Sequence, residues 1–504
     1  MWCIQRGSRL FDGLKNIIDK VKNLNVSVDN YKQDSIVQSM PNVAYVNQAK
    51  KMIEQKEYAR AQELLYKALE VSKRDARAYK YLGKIAETQY RYEDAVEYYE
   101  KSADINSQDK EIWLRLGMCL ISTKRYEHAI KAFEKADENT PMNTDVQTGW
   151  GMALMRMKKY AHARDKFVLA SKISKYNYTA ILLSAVMEIR LGEYDSAEMK
   201  LKFLTKVAPN ESSSYEYANL KLIKSDYKEA ENYAKKAIEY NKLMLPAYFV
   251  LGEVYSIQKD EILTDETFYK ALENDLDCEN LRIEWGKACV RLFDFEKARQ
   301  NFVVALEKNP ESENAKIGLA LVNSYENDFE MLAQVKEKNQ ANVYIQEASG
   351  LELMFQEKFE DAIEMFQKAY KTDALQTYNI LNIARAYKFL GRTDKAREFY
   401  EKFVTENPKY KQGLIEYAKW LMEVSDYADA RRKLQKAENI DNKDCEILNL
   451  LFYSQYRLVK ENISEYNIKE AILVAEKIRA LGGDFKYEPE KQDLEAILKD
   501  LQGN

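Results

Sequence analysis

Residues 110 to 141 read KEIWLRLGMCLISTKRYEHAIKAFEKADENTP, and the order of small and bulky side chains in this stretch decides the fold. If Ala129 is called position 20, Gly117 is position 8, Phe133 is 24, Ala136 is 27 and Pro141 is 32. Positions 20, 24 and 27 are spaced by four and three residues, which places them on one face of a helix. Pro141 lacks an N–H and has a fixed φ, so the helix must end before it. Gly117, with no side chain, marks where a preceding helix lets another approach closely.

The same frame extends in both directions. Ala61, Ala95, Ala129, Ala163 and Ala197 follow one another at intervals of 34, and Ala230, Thr264, Ala298, Leu332, Ala362, Ala396, Ala430 and Ala471 continue the series. Position 8 is Gly83, Gly117, Gly151, Gly252, Gly286 or Gly350 in some repeats and Ala49, Ala185, Ala218, Ala320, Ala384 or Ala418 in others, with Phe452 the one departure. Position 24 is bulky or apolar in most repeats, and Pro141, Pro209, Pro310 and Pro408 share position 32. Self-similarity at this period is the mark of a solenoid, whose repeats bury their apolar faces only by stacking on neighbours.

Trp113, Leu116, Gly117, Ala129, Phe133, Ala136 and Pro141 resemble the tetratricopeptide pattern W-x2-L-G…A-x3-F…P, with Leu120 in place of the central tyrosine. Tyr79, Leu82, Gly83 and Tyr248, Leu251, Gly252, Tyr255 are nearly as close. The resemblance covers about thirteen repeats between residues 42 and 480 and implies an all-α fold, a right-handed superhelix of stacked antiparallel helix pairs. In that family the first helices line an inner surface that commonly receives a peptide.

Composition narrows the partners. With 77 basic and 81 acidic residues interspersed, a net charge of −4 gives no clustered basic field for nucleic acid. Cys3, Cys119, Cys278, Cys289 and Cys445 are sparse and irregularly spaced, as in a reducing compartment. The opening MWCIQRGSRLF has no apolar h-region, and the most apolar stretch, 181–189, is too short to span a bilayer. A cytoplasmic location is the expectation.

Chemistry has few candidates. His128 and His162 both stand at position 19 of adjacent repeats, but no cysteine or carboxylate lies at ligand spacing from them, so no metal is expected. The glycines are spread one per repeat rather than gathered into a phosphate loop, and no nucleophile stands with a base and an orienting acid. No catalytic residue and no cofactor is assigned, and the chain is not expected to be an enzyme.

The rhythm breaks in two places. Leu332 to Ala362 is shortened to 30, which predicts a bend or loosened joint, and Ala430 to Ala471 is stretched to 41, which predicts an extended inter-helix turn over 459–467. The organisation read from this is an N-terminal segment 1–41, repeats one to nine over 42–338 with the ninth degenerate, repeats ten to thirteen over 339–483, and a capping helix over 484–504 carrying Leu494, Ile497, Leu498 and Leu501. Within 1–41, Leu10, Leu14, Ile17, Ile18, Val21 and Leu24 form one apolar stripe. That stripe could cap the first repeat, lie in the chain's own groove, or make weak peripheral membrane contact through residues 9–24, and 25–38 could serve as a tether.

Positions 2, 5, 9, 12 and 13 of each first helix fall opposite the closely packed side and report what a groove would prefer. They are apolar in repeats three to seven: Leu114, Met118, Ile121, Met152, Met155, Leu182, Val186, Ile189, Tyr215 and Phe249, with Arg156 and Arg190 beside them. Earlier repeats carry Lys50, Arg77, Lys80 and Lys84, a basic entrance. The expected function is a protein-interaction scaffold that takes a peptide or helix of a partner along this stripe, acidic groups meeting the arginines. The competing reading of the apolar residues is packing against the next first helix. The alternative function is a structural adaptor acting through its ends, convex face or self-association, with the N-terminal stripe as its attachment.

Overall fold

The structure, a computed structural model, describes residues 41–502. The N-terminal stripe and tether anticipated from sequence lie outside the described residues. Among the described residues there are 27 helices and no strand, an all-α solenoid of consecutive helix pairs. They form two compact units, one ending at Ala208 and one beginning at Pro209.

The first unit holds five pairs: Pro41–Glu54 with Tyr58–Val71, Ala76–Thr88 with Tyr92–Ile105, Lys110–Ser122 with Tyr126–Asn139, Thr144–Arg156 with Tyr160–Ile173, and Tyr178–Leu191 with Tyr194–Val207. The second begins with Glu211–Ile223 and Tyr227–Tyr240, then Leu245–Ile257 and Glu261–Glu273, then Glu279–Arg291 and Phe295–Lys308. It continues through Glu313–Ser324 and Glu330–Val335, Val343–Phe355 and Phe359–Thr372, Tyr378–Phe389 and Thr393–Glu406, and Lys411–Glu423 and Tyr427–Ile440. Cys445–Glu461 and Glu465–Ala480 complete the thirteenth pair, and Glu488–Gln502 follows it.

Local chemistry sets these boundaries. Asp75, Asp109, Asn143, Asn177, Asn210, Ser312, Asn342 and Asp444 cap first helices by accepting from an N–H of the first turn. Twelve of the thirteen pairs turn through a residue of left-handed backbone: Lys56, Tyr90, Lys124, Lys158 and Gly192 in the first unit, and Ser225, Lys259, Phe293, Asn327, Glu357, Gly391 and Ser425 in the second. The following N–H then reaches back into the helix, as Arg125 does to the Leu120 carbonyl at 2.8 Å. The second helices preceding Pro141, Pro209, Pro310 and Pro408 end at Asn139, Val207, Lys308 and Glu406.

The seam inside each pair shows why position 8 is small. A Cβ placed on Gly117 would lie 2.7 Å from the Phe133 ring, closer than atoms can sit. Gly83, Gly151, Gly252, Gly286 and Gly350 meet Tyr99, Phe167, Phe268, Phe302 and Phe366 in the same way, each the position-24 side chain of its own repeat. Where position 8 is alanine the position-24 side chain of the repeat is smaller in four cases, all fully buried: Leu65 with Ala49, Leu201 with Ala185, Ala234 with Ala218 and Leu434 with Ala418, while the short ninth repeat has Lys336 with Ala320. Ala384 with Tyr400 departs from this, and that ring stacks on Tyr417 of the next first helix, 5.2 Å between centroids. At Phe452 the sizes are exchanged, since its position-24 counterpart is the fully buried Ala475 in the same apolar cluster. In most repeats volume is thus kept across the seam by complementary pairs, as close packing requires.

The lengthened spacing is resolved differently from the sequence expectation, and the shortened one shows no loosened joint. The stretch after Ala430 does not form a long turn: the helix Cys445–Glu461 is simply longer, Val459 on its added turn is fully buried, and only 462–464 separate it from Glu465–Ala480. The short ninth repeat has a second helix of six residues, Glu330–Val335, yet its joint is tightly packed rather than loose. Leu332 and Val335 are buried, and Tyr325 stacks on Phe295 at 4.2 Å. Leu494 of the last helix is fully buried against the thirteenth pair, whereas Leu501 is exposed.

Candidate functional site

First helices of successive repeats abut one another, so residues on their shared side divide between contact and surface. Met118 shows the contact: its sulfur lies 3.2 Å from where a Cβ on Gly149 of the next first helix would be. Of the apolar candidates in the first unit, Ile121, Met152 and Ile189 are buried, which assigns them to packing between helices. Leu114, Met118, Met155, Leu182 and Val186 remain partly accessible, and all except Leu182 also pack on the core of the second to fifth repeats. Arg156 is partly buried and Arg190 exposed. Tyr215 and Phe249 belong to the second unit and are buried at 3% and 7% exposure.

The basic entrance is not an open cationic surface. Lys80 binds Asp109 and Glu111, both at 2.8 Å, Lys84 binds Glu111 at 2.7 Å, and Arg77 binds Asp75 at 3.0 Å. Arg115 completes the network with Glu111 at 2.7 Å and Glu87 at 3.1 Å. Burial works against the Glu111 charge, but Arg115, Lys84 and Lys80 outweigh it and hold the carboxyl well below the usual range. Lys84 is pushed down by burial and by Arg115. Among the described residues, Lys50 alone of the four is exposed with no such ion pair. The acidic partners open the following first helix, a register that a repeat-by-repeat tally of basic residues passes over.

The second unit gathers the more unusual chemistry. Phe249, Glu253, Glu284, Lys287, Ala288 and Arg291, from the first helices of the seventh and eighth repeats, line a cleft of about 260 Å³. Glu253 faces Arg291 at 3.6 Å, while that guanidinium donates to Ser256 Oγ at 2.9 Å. Burial, opposed by Arg291 and reinforced by Glu284, raises the Glu253 carboxyl. Beside it Lys259 donates to the Arg291 carbonyl and lies 3.9 Å from the Phe293 ring centroid. Burial and Arg291 push this ammonium down to about 7.

Further along, residues distant in sequence meet. Phe293 touches Tyr378, Phe403 and Tyr410 at 4.9, 5.9 and 4.6 Å between centroids. Tyr325 donates to Glu347, whose other oxygen accepts from Asn379 at 2.8 Å, and Asn382 donates to the Tyr325 hydroxyl at 3.0 Å. Glu347 is 1% exposed. Sequence reasoning missed this cluster, although a signal existed: Glu347, with Gln346 before it, places a carboxylate between Val343, Tyr344, Ile345 and Ala348 on a buried stretch of helix.

His128 and His162 are both exposed. Among the described residues no group of three or more histidine, cysteine or acidic side chains is arranged to hold a metal ion, and no helix is long and apolar enough to cross a membrane.

The profile of the tetratricopeptide repeat protein 21 C-terminal ARM domain matches residues 15–148, and a tetratricopeptide repeat profile matches residues 379–410. Human protein O-mannosyl-transferase TMTC3 is 26% identical over 228 residues, which is 42% of this chain. The match spans only 24% of that protein's length. The crystal structure of the APC/C hetero-tetramer Cut9-Hcn1 superposes with a TM-score of 0.51 at 12% identity, covering 92% of this chain and 98% of that one. Yeast Tom70 gives a TM-score of 0.31 at 17% identity, over 87% of this chain and 99% of that one. Repeating helix pairs, the glycine–aromatic seam and the two profile matches fit a protein built of tetratricopeptide-type repeats.

Proposed function

We propose that this chain is a non-enzymatic, cytoplasmic scaffold that receives a peptide or helix of a partner protein on the first-helix face of its first unit. The observation that supports this reading is the row of partly accessible apolar side chains, Leu114, Met118, Met155, Leu182 and Val186, on three successive first helices with Arg156 and Arg190 beside it. Such a row offers flexible apolar contact with a cationic border, suited to a segment with apolar anchors and acidic neighbours. Ile121, Met152 and Ile189 support the row from beneath and do not themselves meet the partner.

The test compares the two faces of one unit. Leu182→Glu and Arg156→Glu are expected to abolish partner capture from lysate while leaving the melting temperature within about 4 °C of the parent. Met199→Glu, on a second helix at 70% exposure, is expected to leave capture unchanged. The reverse pattern, capture lost with Met199→Glu alone, would move the function to the outer face and favour the adaptor reading.

A further inference from the structure

Glu347 is a carboxylate with no cation bonded to it among the described residues. Its two oxygens accept from the Tyr325 hydroxyl and the Asn379 amide, groups from the turn before it and the first helix after it, and both bonds stay inside the protein. The charged groups around it are otherwise engaged or of the wrong sign. Arg385 binds Glu416 at 2.6 Å, the Tyr378 hydroxyl and Asn382, and Arg291 serves Ser256 and Glu253. Asp373, in the turn leading to the helix Tyr378–Phe389, acts on Glu347 as a like charge, and burial raises the nearby Tyr344 phenol, which supplies no countercharge. A negative charge held there is desolvated with only two neutral hydrogen-bond donors, and no cation among the described residues, to offset the cost.

We infer that Glu347 is a proton-operated latch: protonated, it holds the first helices Val343–Phe355 and Tyr378–Phe389 onto the Tyr325 turn, and losing the proton loosens that joint. The position is suited to the role because the same joint carries the long-range contacts of Phe293 with Tyr378, Phe403 and Tyr410. The Tyr325 hydroxyl both donates and accepts, so its contact survives in either protonation state. Burial, opposed by the two hydrogen bonds and aided by Asp373, pushes this carboxyl up to about 7 from 4.5. A folded value above the unfolded one means the contribution to closure is complete below pH 4.5, is lost as pH rises to about 7, and changes little beyond. The inference stands apart from the partner-binding proposal, since it concerns the free chain.

Amide hydrogen exchange on the free full-length protein tests it, with residues 110–139 of the first unit as internal reference for the intrinsic pH dependence of exchange. In the parent, protection over 343–355 and 378–389 is expected to fall about tenfold or more between pH 5 and pH 7.5 and then level off. Glu347→Gln keeps both contacts, its carbonyl accepting from Asn379 and its amide donating to the Tyr325 oxygen, so its protection is expected to be flat over that range. Tyr325→Phe removes a donor to the charged form and is expected to move the fall to higher pH, which gives a second reading should the glutamine variant fail to fold. Flat protection in the parent, an equal fall in Glu347→Gln, or an unmoved midpoint in Tyr325→Phe would overturn the latch.

Discussion

In the first unit Glu111 sits among Arg115, Lys84 and Lys80, three cations drawn from its own and the preceding first helix. In the second, Glu347 occupies a comparable helix among Tyr325, Asn379 and aromatic rings. One carboxyl is driven down and the other up. The residue type is the same and the fold around it is the same, so the difference lies in what the neighbouring repeats supply. The first unit spends its first-helix face on ion pairs and a partly accessible apolar row. The second fills the equivalent space with packed rings at the short ninth repeat, where stretches more than a hundred residues apart touch through Phe293 and Tyr410. A repeat array can therefore carry a solvent-facing surface in one region and a closed, titratable joint in another without altering its helix seam.

The largest expected effect falls on what the two regions share. Gly117→Leu in the first unit and Gly286→Leu in the second both drive a side chain into a ring, Phe133 or Phe302, and each is expected to cost about 1–3 kcal/mol in a thermal or denaturant melt. Equal losses in both units would establish that the seam is common, and a loss in only one would break the comparison.

Next comes the charged network. Glu111→Gln leaves Lys80, Lys84 and Arg115 short of a partner, but the Glu111 side chain is 34% exposed, so solvent screening limits the cost to about 1–2 kcal/mol. The sign with pH sharpens the contrast. Because the folded carboxyl is depressed, its contribution is present above pH 4.5 and lost as pH falls below it, opposite to Glu347. An acid titration of the parent is expected to weaken the first unit from about pH 4.5 downward, a limb that Glu111→Gln flattens, read by exchange over 110–122.

The smallest effect is in the turns. Lys124 holds a left-handed backbone at φ 62°, and Lys124→Gly is expected to stabilise by about 0.5–1 kcal/mol in a melt because glycine adopts that conformation without steric cost. An unchanged or lower melting point would show that the lysine side chain contributes contacts which offset the strain.

Much of this was readable from residue order. The interval between Ala61 and its successors, and the proline at position 32, report local backbone geometry and fell where the helices do. The partner of position 8 was not named from sequence, although it lies sixteen residues on, because periodicity identifies faces and not the residues that meet across them. The same limit explains the basic entrance: Lys80 and Lys84 were visible, while Asp109 and Glu111 belong to the next repeat. Five of the apolar candidates, Ile121, Met152, Ile189, Tyr215 and Phe249, proved buried because one helix face serves both its neighbour and the surface. The longer helix at Cys445–Glu461 had no breaker to stop it at the usual length, and an excess of residues alone does not say whether a turn or a helix takes them up.

The central claim is that paired sizes across the seam, not small residues as such, build the array. A double-mutant cycle on Gly117→Ala and Phe133→Leu, which together recreate the Ala185–Leu201 pair of the fifth repeat, tests it most directly. The account expects the double variant to be more stable than the sum of the single losses by about 1–3 kcal/mol. Additive losses would contradict it.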